Sequence, residues 1–290
     1  MKRVLILILL MLCISNTIAA SSNIEPEAAT GVGRNQLVYG RKQMVVTNNP
    51  LATQTALNIL NKGGNAVDAA IAASFVLGLT EPQSSGIGGG GYALTYNAKS
   101  KKMFAYDGRE VAPKSAVPNW FMNESGSFMT FDEAMLSAKS VGVPSEVALL
   151  YKMHKDQGKL AWDKLLAPAI DLAINGFPMG HRLHGLLALD NDKGMLNDLE
   201  IQNVYFVGKK PKAVGAIVVN NEYAQTLKQI AKNPNSFYSG EIADDIVAAI
   251  NEKAEKDLYT KADLTNYKVQ RYNGVCDWYR NKYQVCSIPP

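Results

Sequence analysis

The spacing of apolar residues predicts two adjacent helices near the start of the folded part of the chain. After Pro50, apolar residues recur at helical spacing as far as Leu60, and Gly63-Gly64 then gives the helix a place to end. Asn65 follows as a candidate N-cap for a second helix over residues 66–79. Because this second segment is rich in Ala, Ile, Val and Phe on all sides, we expect a central helix covered on every face.

The pattern changes to strands after Glu81-Pro82, which ends the second helix. Residues 92–96 and 103–106 alternate in polarity and are separated by a polar turn, which is typical of an antiparallel hairpin. We expect this hairpin to pack on the second helix. A further strand is predicted earlier in the chain, at residues 43–47.

A helical period dominates from Ser145 onward, and a strand pattern returns near the end. The architecture predicted is α+β, with helices covering a sheet. The helices or helical turns are expected at residues 146–157, 161–175, 221–232, 240–256 and 261–267, and the closing strands near residues 268–272, 276–279 and 283–287.

A glycine cluster, Ser84-Ser-Gly-Ile-Gly-Gly-Gly-Gly91, separates the second helix from the hairpin. Glycines let the backbone turn sharply and let neighbouring chain approach closely. Gly86, Gly88 and Gly91 match the spacing of the dinucleotide-binding fingerprint, but that motif requires a strand before it and a helix after it. The predicted order here is the reverse, and no Lys-Ser or Lys-Thr follows for a phosphate loop. A secreted dinucleotide-binding protein is therefore kept as an alternative only.

Arg109 lies at the end of the hairpin's second strand, between Asp107 and Glu110. A guanidinium group can bind a carboxylate through two parallel hydrogen bonds, which makes Arg109 a candidate binding residue for an anionic ligand. The alternative is an ion pair on the surface, and from the residues alone that alternative is favoured.

His181 and His184 are three residues apart, near Asp190 and Asp192. Two imidazoles on one helical face could bind a metal, but no convincing third ligand accompanies them. Solvated polar residues near a helix end are the favoured interpretation. We assign no metal and no cofactor.

Composition indicates a globular chain, with 47% hydrophobic and 19% charged residues among 290. Residues 1–20 combine Lys2-Arg3, a short apolar run and small residues, as in a secretory signal peptide. Without Lys2 and Arg3, the 30 basic residues fall to 28 against 26 acidic ones, so no nucleic-acid partner is indicated. We expect a periplasmic or secreted protein without a membrane anchor after cleavage, a mobile segment over residues 21–42, and a domain over residues 43–290.

Cys276 and Cys286 flank a predicted turn between two short strands. If residues 280–282 form the loop, the two cysteines face each other across the hairpin, where a disulfide is geometrically possible. An oxidising compartment favours that disulfide over two free thiols.

Several motifs, taken together, resemble the large subunit of the γ-glutamyltranspeptidases. They are Lys62-Gly-Gly-Asn-Ala-Val-Asp-Ala-Ala70, the glycine cluster, Asp107-Gly-Arg-Glu110, Ala167-Pro-Ala-Ile-Asp-Leu-Ala-Ile-Asn-Gly-Phe177 and Tyr279-Arg-Asn-Lys-Tyr-Gln-Val-Cys-Ser-Ile-Pro-Pro290. The resemblance covers essentially the whole chain after the signal peptide. It implies part of the four-layer α/β/β/α sandwich of the N-terminal-nucleophile (Ntn) hydrolases, incomplete in this chain.

The resemblance also implies an activity and its site residues. Enzymes of this family transfer the γ-glutamyl group of glutathione and similar amides to water or to an amine, through an ester on an N-terminal threonine. Arg109 matches the arginine that binds the substrate's α-carboxylate. No threonine here lies in a segment similar to the start of the family's small subunit.

We therefore expect an N-terminal, catalytically inactive part of an exported γ-glutamyltransferase or glutathione hydrolase. On this expectation, glutathione is the substrate of the complete enzyme, and the missing small subunit or C-terminal half is the partner. The alternative is a noncatalytic periplasmic module, either complemented by a separate C-terminal half or binding γ-glutamyl compounds weakly through Arg109.

Overall fold

The protein is described by a computed structural model that covers residues 37–123, 125–189, 198–254 and 256–289. The predicted signal peptide and residues 21–36 of the predicted mobile segment lie outside these ranges. Residues from Tyr39 onward form one compact unit. Its helices are α1 Pro50–Asn61, α2 Ala66–Thr80, α3 Phe131–Leu136, α4 Glu146–Gln157, α5 Trp162–Asn175, α6 His181–Leu189, α7 Leu199–Tyr205, α8 Asn221–Lys232, α9 Ser236–Ser239, α10 Glu241–Ala254 and α11 Lys261–Thr265, with a 3-10 turn at Ala138–Ser140. Its strands are β1 Gly91–Asn97, β2 Lys102–Gly108, β3 Phe177–Pro178, β4 Phe206–Val207, β5 Lys210–Pro211, β6 Ile217–Val218, β7 Gln270–Asn273, β8 Val275–Tyr279 and β9 Tyr283–Ser287.

The two helices predicted first are confirmed, together with the residues that begin and end them. Pro50 lies in the first turn of α1, and Gly63 takes a φ of 89° just after it, a conformation that favours glycine. The side chain of Asn65 accepts a hydrogen bond from the amide of Asp68, whose own side chain accepts one from the amide of Asn65. This capping box satisfies two amides that a helix start leaves without partners.

Helix α2 is the centre of the core, as its all-round apolar pattern predicts. Phe75 on α2 contacts Trp162 of α5 edge to face, with ring centroids 5.7 Å apart. The buried carboxylate of Asp68 also accepts hydrogen bonds from the amides of Lys159 and Leu160. The start of α2 is thereby joined to the loop between α4 and α5.

A three-stranded antiparallel sheet has the order β1–β2–β7. The helix directly behind the hairpin is α4, where the pattern had indicated α2. The buried Tyr106 donates a hydrogen bond to Asp156 on α4 and accepts one from Gln157 at 2.8 Å, and Gln157 also donates to Thr95 at 2.7 Å. The helices therefore lie against one face of the sheet.

The opposite face of the sheet carries several exposed apolar side chains. Tyr92, Leu94 and Tyr96 alternate along β1 and are exposed, and Tyr272 on β7 joins them. We call these four residues the outer sheet face. The strand predicted at residues 43–47 is wrong, because this segment makes no ladder with any described strand.

Strands β8 and β9 form a separate hairpin with the loop predicted from the sequence. Residues 280–282 make the turn, and Cys276 lies opposite Cys286 in the register. The two Sγ atoms are 2.11 Å apart and form a disulfide. Within the described ranges, no helix is long and apolar enough to cross a membrane.

Candidate functional site

The glycine cluster and Arg109 border one cleft of about 740 Å³, between the end of α2, the start of β1 and helix α4. The hairpin brings the end of β2 beside the start of β1, because Gly91 pairs with Gly108. Arg109 and the glycine cluster of residues 84–91, called the glycine turn from here on, thus lie beside the same cleft. The remaining side chains of the cleft come mainly from α2 and α4, including Ser74, Glu146, Leu149, Leu150 and Met153.

The glycine turn lies between α2 and β1, which confirms the order of helix, glycines and strand. A dinucleotide fingerprint would need the reverse order. Close approach by neighbouring chain explains one of the glycines. A Cβ atom on Gly90 would come within 2.0 Å of Ser145 Oγ and 2.4 Å of the Gly108 carbonyl oxygen. The amides of Ser145 and Glu146 both donate to the carbonyl of Gly89 at 2.8 Å, so the turn is fixed to the start of α4.

The other end of the turn is anchored by Glu81, a buried residue directly after α2. Its carboxylate accepts hydrogen bonds from Asn49 at 2.9 Å, Gln83 at 2.8 Å and Arg182 at 3.0 Å. Arg182 also donates to the hydroxyl of Ser84 at 2.8 Å. A charged residue in the interior is thus compensated by three donors, and the beginning of the glycine turn is held by helix α6.

Arg109 directly follows β2, with its side chain 64% exposed and bordering the cleft. Its Nε lies 3.3 Å from Glu110 Oε2, close enough for an ion pair but without the geometry of a hydrogen bond. The surface ion pair considered from the sequence therefore exists, and it leaves the guanidinium facing a cleft. The Arg109 amide donates to Asp107 Oδ1 at 3.0 Å, and its carbonyl accepts from the Tyr267 hydroxyl at 2.9 Å.

An acidic pair lies in the same cleft. Burial of Glu146 raises the pKa of its carboxyl above the ordinary value, and the nearby Glu110 acts in the same direction. The hydroxyl of Ser74 donates to Glu146 Oε1 at 2.5 Å and partly opposes that shift. Among the described residues that line the cleft, the charged groups are thus the Arg109 guanidinium and the carboxyl groups of Glu110 and Glu146.

His181 and His184, the two histidines considered as metal ligands, lie on α6, away from the residues that border the cleft. His184 Nδ1 lies 2.9 Å from the carbonyl oxygen of Lys212, so this ring nitrogen is already engaged in a hydrogen bond. Asp190 and Asp192 lie outside the described residues. In the part of the chain that the structure describes, no three His, Cys, Asp or Glu side chains are grouped as a metal site would need.

Comparison with known proteins gives a family. Residues 52–290 match the family model described as gamma-glutamyltranspeptidase. The chain belongs to the γ-glutamyltranspeptidase family. The resemblance read from the motifs is confirmed, and the cleft just described is part of a γ-glutamyltranspeptidase fold.

Individual relatives of this γ-glutamyltranspeptidase chain agree. It is 33% identical over 256 residues to a glutathione hydrolase proenzyme of Bacillus subtilis strain 168, and 37% identical over 242 residues to one of Pseudomonas aeruginosa. The alignments cover 88% and 81% of this chain but 43% and 41% of the relatives. The chain therefore spans less than half the length of these relatives.

Solved structures show the same fold. The γ-glutamyltranspeptidase of Helicobacter pylori superposes with a TM-score of 0.81 at 30% identity, covering 88% of this chain and 72% of that one. The transpeptidase CapD of Bacillus anthracis superposes with a TM-score of 0.67 at 30% identity, covering 86% and 76%. The predicted fold class is confirmed: a mixed α and β chain of the Ntn-hydrolase type.

The sequence pointed to Arg109 and the glycine turn, which border the same cleft, but not to the residues that hold them. Ser145 and Tyr267 bind the backbone on either side of Arg109, and Glu81 holds the start of the turn. Ser145 and Tyr267 bind backbone groups and Glu81 binds side chains, and most of these partners are distant in the sequence, so no local pattern marks the three residues. The adjacency of Glu81 to the glycine cluster was the one available signal.

Proposed function

We propose that the chain forms the N-terminal part of an exported γ-glutamyltransferase or glutathione hydrolase, and that Arg109 binds the α-carboxylate of the γ-glutamyl group. One observation carries this proposal: Arg109 borders the same cleft as the glycine turn. The names of the relatives, glutathione hydrolase proenzymes, support glutathione as the substrate of the complete enzyme.

The charges of the cleft suit a carboxylate ligand that carries an amide. Arg109 is the one cation among the described residues that line the cleft, so a carboxylate has a single place to bind. A guanidinium offers two parallel N–H groups to the two carboxylate oxygens, which fixes the orientation as well as the position of the ligand. The glycine turn presents little side-chain bulk, which leaves room for the glutamyl chain beside it.

The covalent chemistry in this proposal belongs to a threonine outside this sequence. The threonine hydroxyl oxygen attacks the γ-carbonyl carbon, the amide C–N bond breaks, and the hydroxyl proton leaves with the departing amine. Water or an acceptor amine then attacks the resulting ester and restores the hydroxyl. Arg109 takes part by holding the carboxylate, so that the carbonyl carbon stays at a fixed distance from the threonine.

The outer sheet face supports a partner that completes the fold. Tyr92, Leu94, Tyr96 and Tyr272 are exposed on a sheet whose other face is covered by helices. Contiguous apolar residues on a sheet of this kind are usually buried against another layer. We propose that the missing small subunit or C-terminal half covers them and supplies the threonine.

A noncatalytic module is the second candidate, and the exposure of Arg109 favours it. An exposed guanidinium can bind γ-glutamyl compounds weakly without any nucleophile.

Both candidates share the proposal of export to the periplasm or the medium, which rests on the predicted signal peptide. Retention of residues 1–20 on the mature protein, seen by N-terminal sequencing, would contradict export through a cleaved signal peptide.

The test is the release of a chromogenic amine from a γ-glutamyl anilide. We would assay the purified mature chain alone and mixed with a separately expressed C-terminal half from a full-length relative. We expect activity only in the mixture, because only the mixture combines Arg109 with the threonine nucleophile. Silence of both preparations would contradict the catalytic proposal, and activity of the chain alone would show that the nucleophile is misplaced.

A matched pair of variants assigns the activity to Arg109. Arg109→Lys keeps the charge but loses the two parallel N–H groups, so the activity of the mixture should fall by at least about tenfold. Arg280→Lys is the control, because Arg280 lies at the β8–β9 turn over the ring of Tyr279, away from the residues that border the cleft. An equal loss of activity in Arg109→Lys and Arg280→Lys would argue against binding of the substrate by Arg109.

A further inference from the structure

We propose that Ser145 and Tyr267 are positioning residues for Arg109, and that their hydroxyls set the point from which the guanidinium reaches a ligand. This inference rests on the function proposed above and extends it to two residues that do not themselves touch the ligand.

Ser145 joins the glycine turn to the strand that carries Arg109. It is fully buried, and its Oγ donates a 2.6 Å hydrogen bond to the carbonyl of Gly108, the residue before Arg109. Its amide donates to the carbonyl of Gly89 at 2.8 Å. One residue thus bonds to both walls of the cleft. Ser145 Oγ lies 2.0 Å from where a Cβ on Gly90 would be, so the absence of a side chain at position 90 leaves room for this hydroxyl.

Tyr267 holds the other side of Arg109. Its hydroxyl donates to the carbonyl of Arg109 at 2.9 Å across a sequence separation of 158 residues. Burial raises the pKa of the Tyr267 phenol, which keeps the hydroxyl protonated as a donor at neutral pH. The segment before Tyr267 is itself fixed, because Asp263 accepts a hydrogen bond from the amide of Lys114 at 2.9 Å, five residues after Arg109.

These bonds matter because the side chain of Arg109 is not held by packing. Among the described residues its ion-pair partner is Glu110, in a contact without hydrogen-bond geometry, and the side chain is mostly exposed. The backbone around it is bonded at three places: the Gly108 carbonyl, the Arg109 amide and the Arg109 carbonyl. A mobile side chain on a fixed backbone reaches a small volume of the cleft, which lowers the entropy lost when it binds a carboxylate.

The experiment measures the dissociation constant of L-glutamate for the full mature chain by NMR titration, alongside the melting temperature. Tyr267→Phe should weaken binding about three- to tenfold, the effect of losing one hydrogen bond. Ser145→Ala should weaken it by at least as much. Tyr259→Phe is the control, because the Tyr259 hydroxyl also donates to a backbone carbonyl, that of Val141, at a place outside the cleft. It should affect the melting temperature and leave the dissociation constant unchanged.

A double-mutant cycle separates positioning from general destabilisation. In a chain that already carries Arg109→Ala, the change Tyr267→Phe should have no further effect on binding. 4-Aminobutanamide carries no carboxylate for Arg109 to bind, so its weak binding should be the same with and without Tyr267→Phe. The inference would be overturned if Arg109→Ala and Tyr267→Phe had additive effects on the dissociation constant. It would also be overturned if Tyr267→Phe, like Tyr259→Phe, changed the melting temperature and left the dissociation constant unchanged.

The outcomes also distinguish this inference from the function on which it rests. If L-glutamate binds and Arg109→Ala weakens that binding, but Tyr267→Phe and Ser145→Ala bind normally, the inference fails and the proposed function stands. If L-glutamate does not bind the unaltered chain, or Arg109→Ala has no effect, both fail.

Discussion

Arg182 Nη1 lies 3.0 Å from Glu81 Oε2 in an ion pair whose side chains are 21% and 4% exposed. The pair connects α6 to the residue that ends α2, and Arg182 continues to the hydroxyl of Ser84 in the glycine turn. A helix that does not border the cleft therefore contributes to the position of the turn that does.

Removal of Arg182 should destabilise the fold strongly. Arg182→Met keeps most of the side-chain length but leaves the buried Glu81 carboxylate without its cation, and losing one partner of a buried pair costs about 3–5 kcal/mol. Urea unfolding measures the loss. Lys261→Met is the control, since Lys261 and Asp244 form an exposed pair, 43% and 61% accessible, and its loss should cost less than about 1 kcal/mol. A similar loss of unfolding free energy in both variants would show that the buried ion pair stabilises the fold no more than the exposed one.

Two glycines of the same turn should differ in their tolerance of alanine. Gly90→Ala would place a Cβ 2.0 Å from Ser145 Oγ, and the backbone would have to move, at a cost of about 1–3 kcal/mol. Gly86→Ala would place one where no described atom lies within 4 Å, so its melting temperature should match that of the unaltered chain. Thermal unfolding of the two variants tests this, and equal behaviour would contradict the close approach of Ser145.

Glu146 should make stability fall as the pH rises. Its pKa is raised in the folded state, mainly by burial, so the folded chain holds this proton more tightly than the unfolded chain. The resulting stabilisation is complete below its ordinary pKa of 4.5 and is lost as the pH rises through the higher folded value. Glu146→Gln should therefore stabilise the chain at pH 7 relative to its effect at pH 4.

Asp263 provides a control of opposite sign. Burial acts to raise its pKa, but hydrogen bonds from the amides of Lys114 and Thr260 outweigh burial, and the pKa is lowered. Its contribution is present above its ordinary pKa of 3.8 and is lost as the pH falls through the lower folded value. Asp263→Asn should destabilise the chain at pH 7, and the difference should shrink towards pH 3. Parallel pH profiles for the two variants would contradict these assignments.

The disulfide between Cys276 and Cys286 should protect its own hairpin and little else. Strands β8 and β9 form a two-stranded sheet apart from β1, β2 and β7, and isolated hairpins are marginally stable in water. Arg280 and Lys282 are already exposed at the turn, and reduction should loosen the hairpin so that trypsin cleaves there faster, while the melting temperature of the remainder changes by no more than a few degrees. Mass spectrometry with and without reductant shows whether the bond forms. Equal trypsin cleavage of both forms would argue against protection.

The helices that could be predicted are those whose signals are local. Asn65, three residues before Asp68, is enough to place the start of α2, and the boundaries of α4 and α8 match the apolar period. The strand predicted at residues 43–47 failed because a strand requires a partner, and residues 43–47 alone do not show whether one exists. The pairing of β7 with β2 was not predicted for the same reason.

The candidate site divides in a similar way. The glycine cluster was visible from its spacing, whereas Arg109 was indicated by the resemblance to the γ-glutamyltranspeptidases, since the residues alone favoured a surface ion pair. The contribution of Ser145 was not, since a serine that bonds the backbone of Gly108 and Gly89 has the same local sequence as a serine that only precedes a helix. Such contacts are decided by the fold, after the chain has brought distant segments together.

Strand β1 has a further consequence for the isolated chain. It is an edge of the three-stranded sheet, its side chains include no charge, and three large apolar ones point outward. The other edge, β7, carries Arg271, a type of residue that discourages pairing between sheets. Self-association of the chain, where it occurs, should therefore begin by addition of a strand to β1, and the solubility of this protein should depend on whether that one edge is occupied.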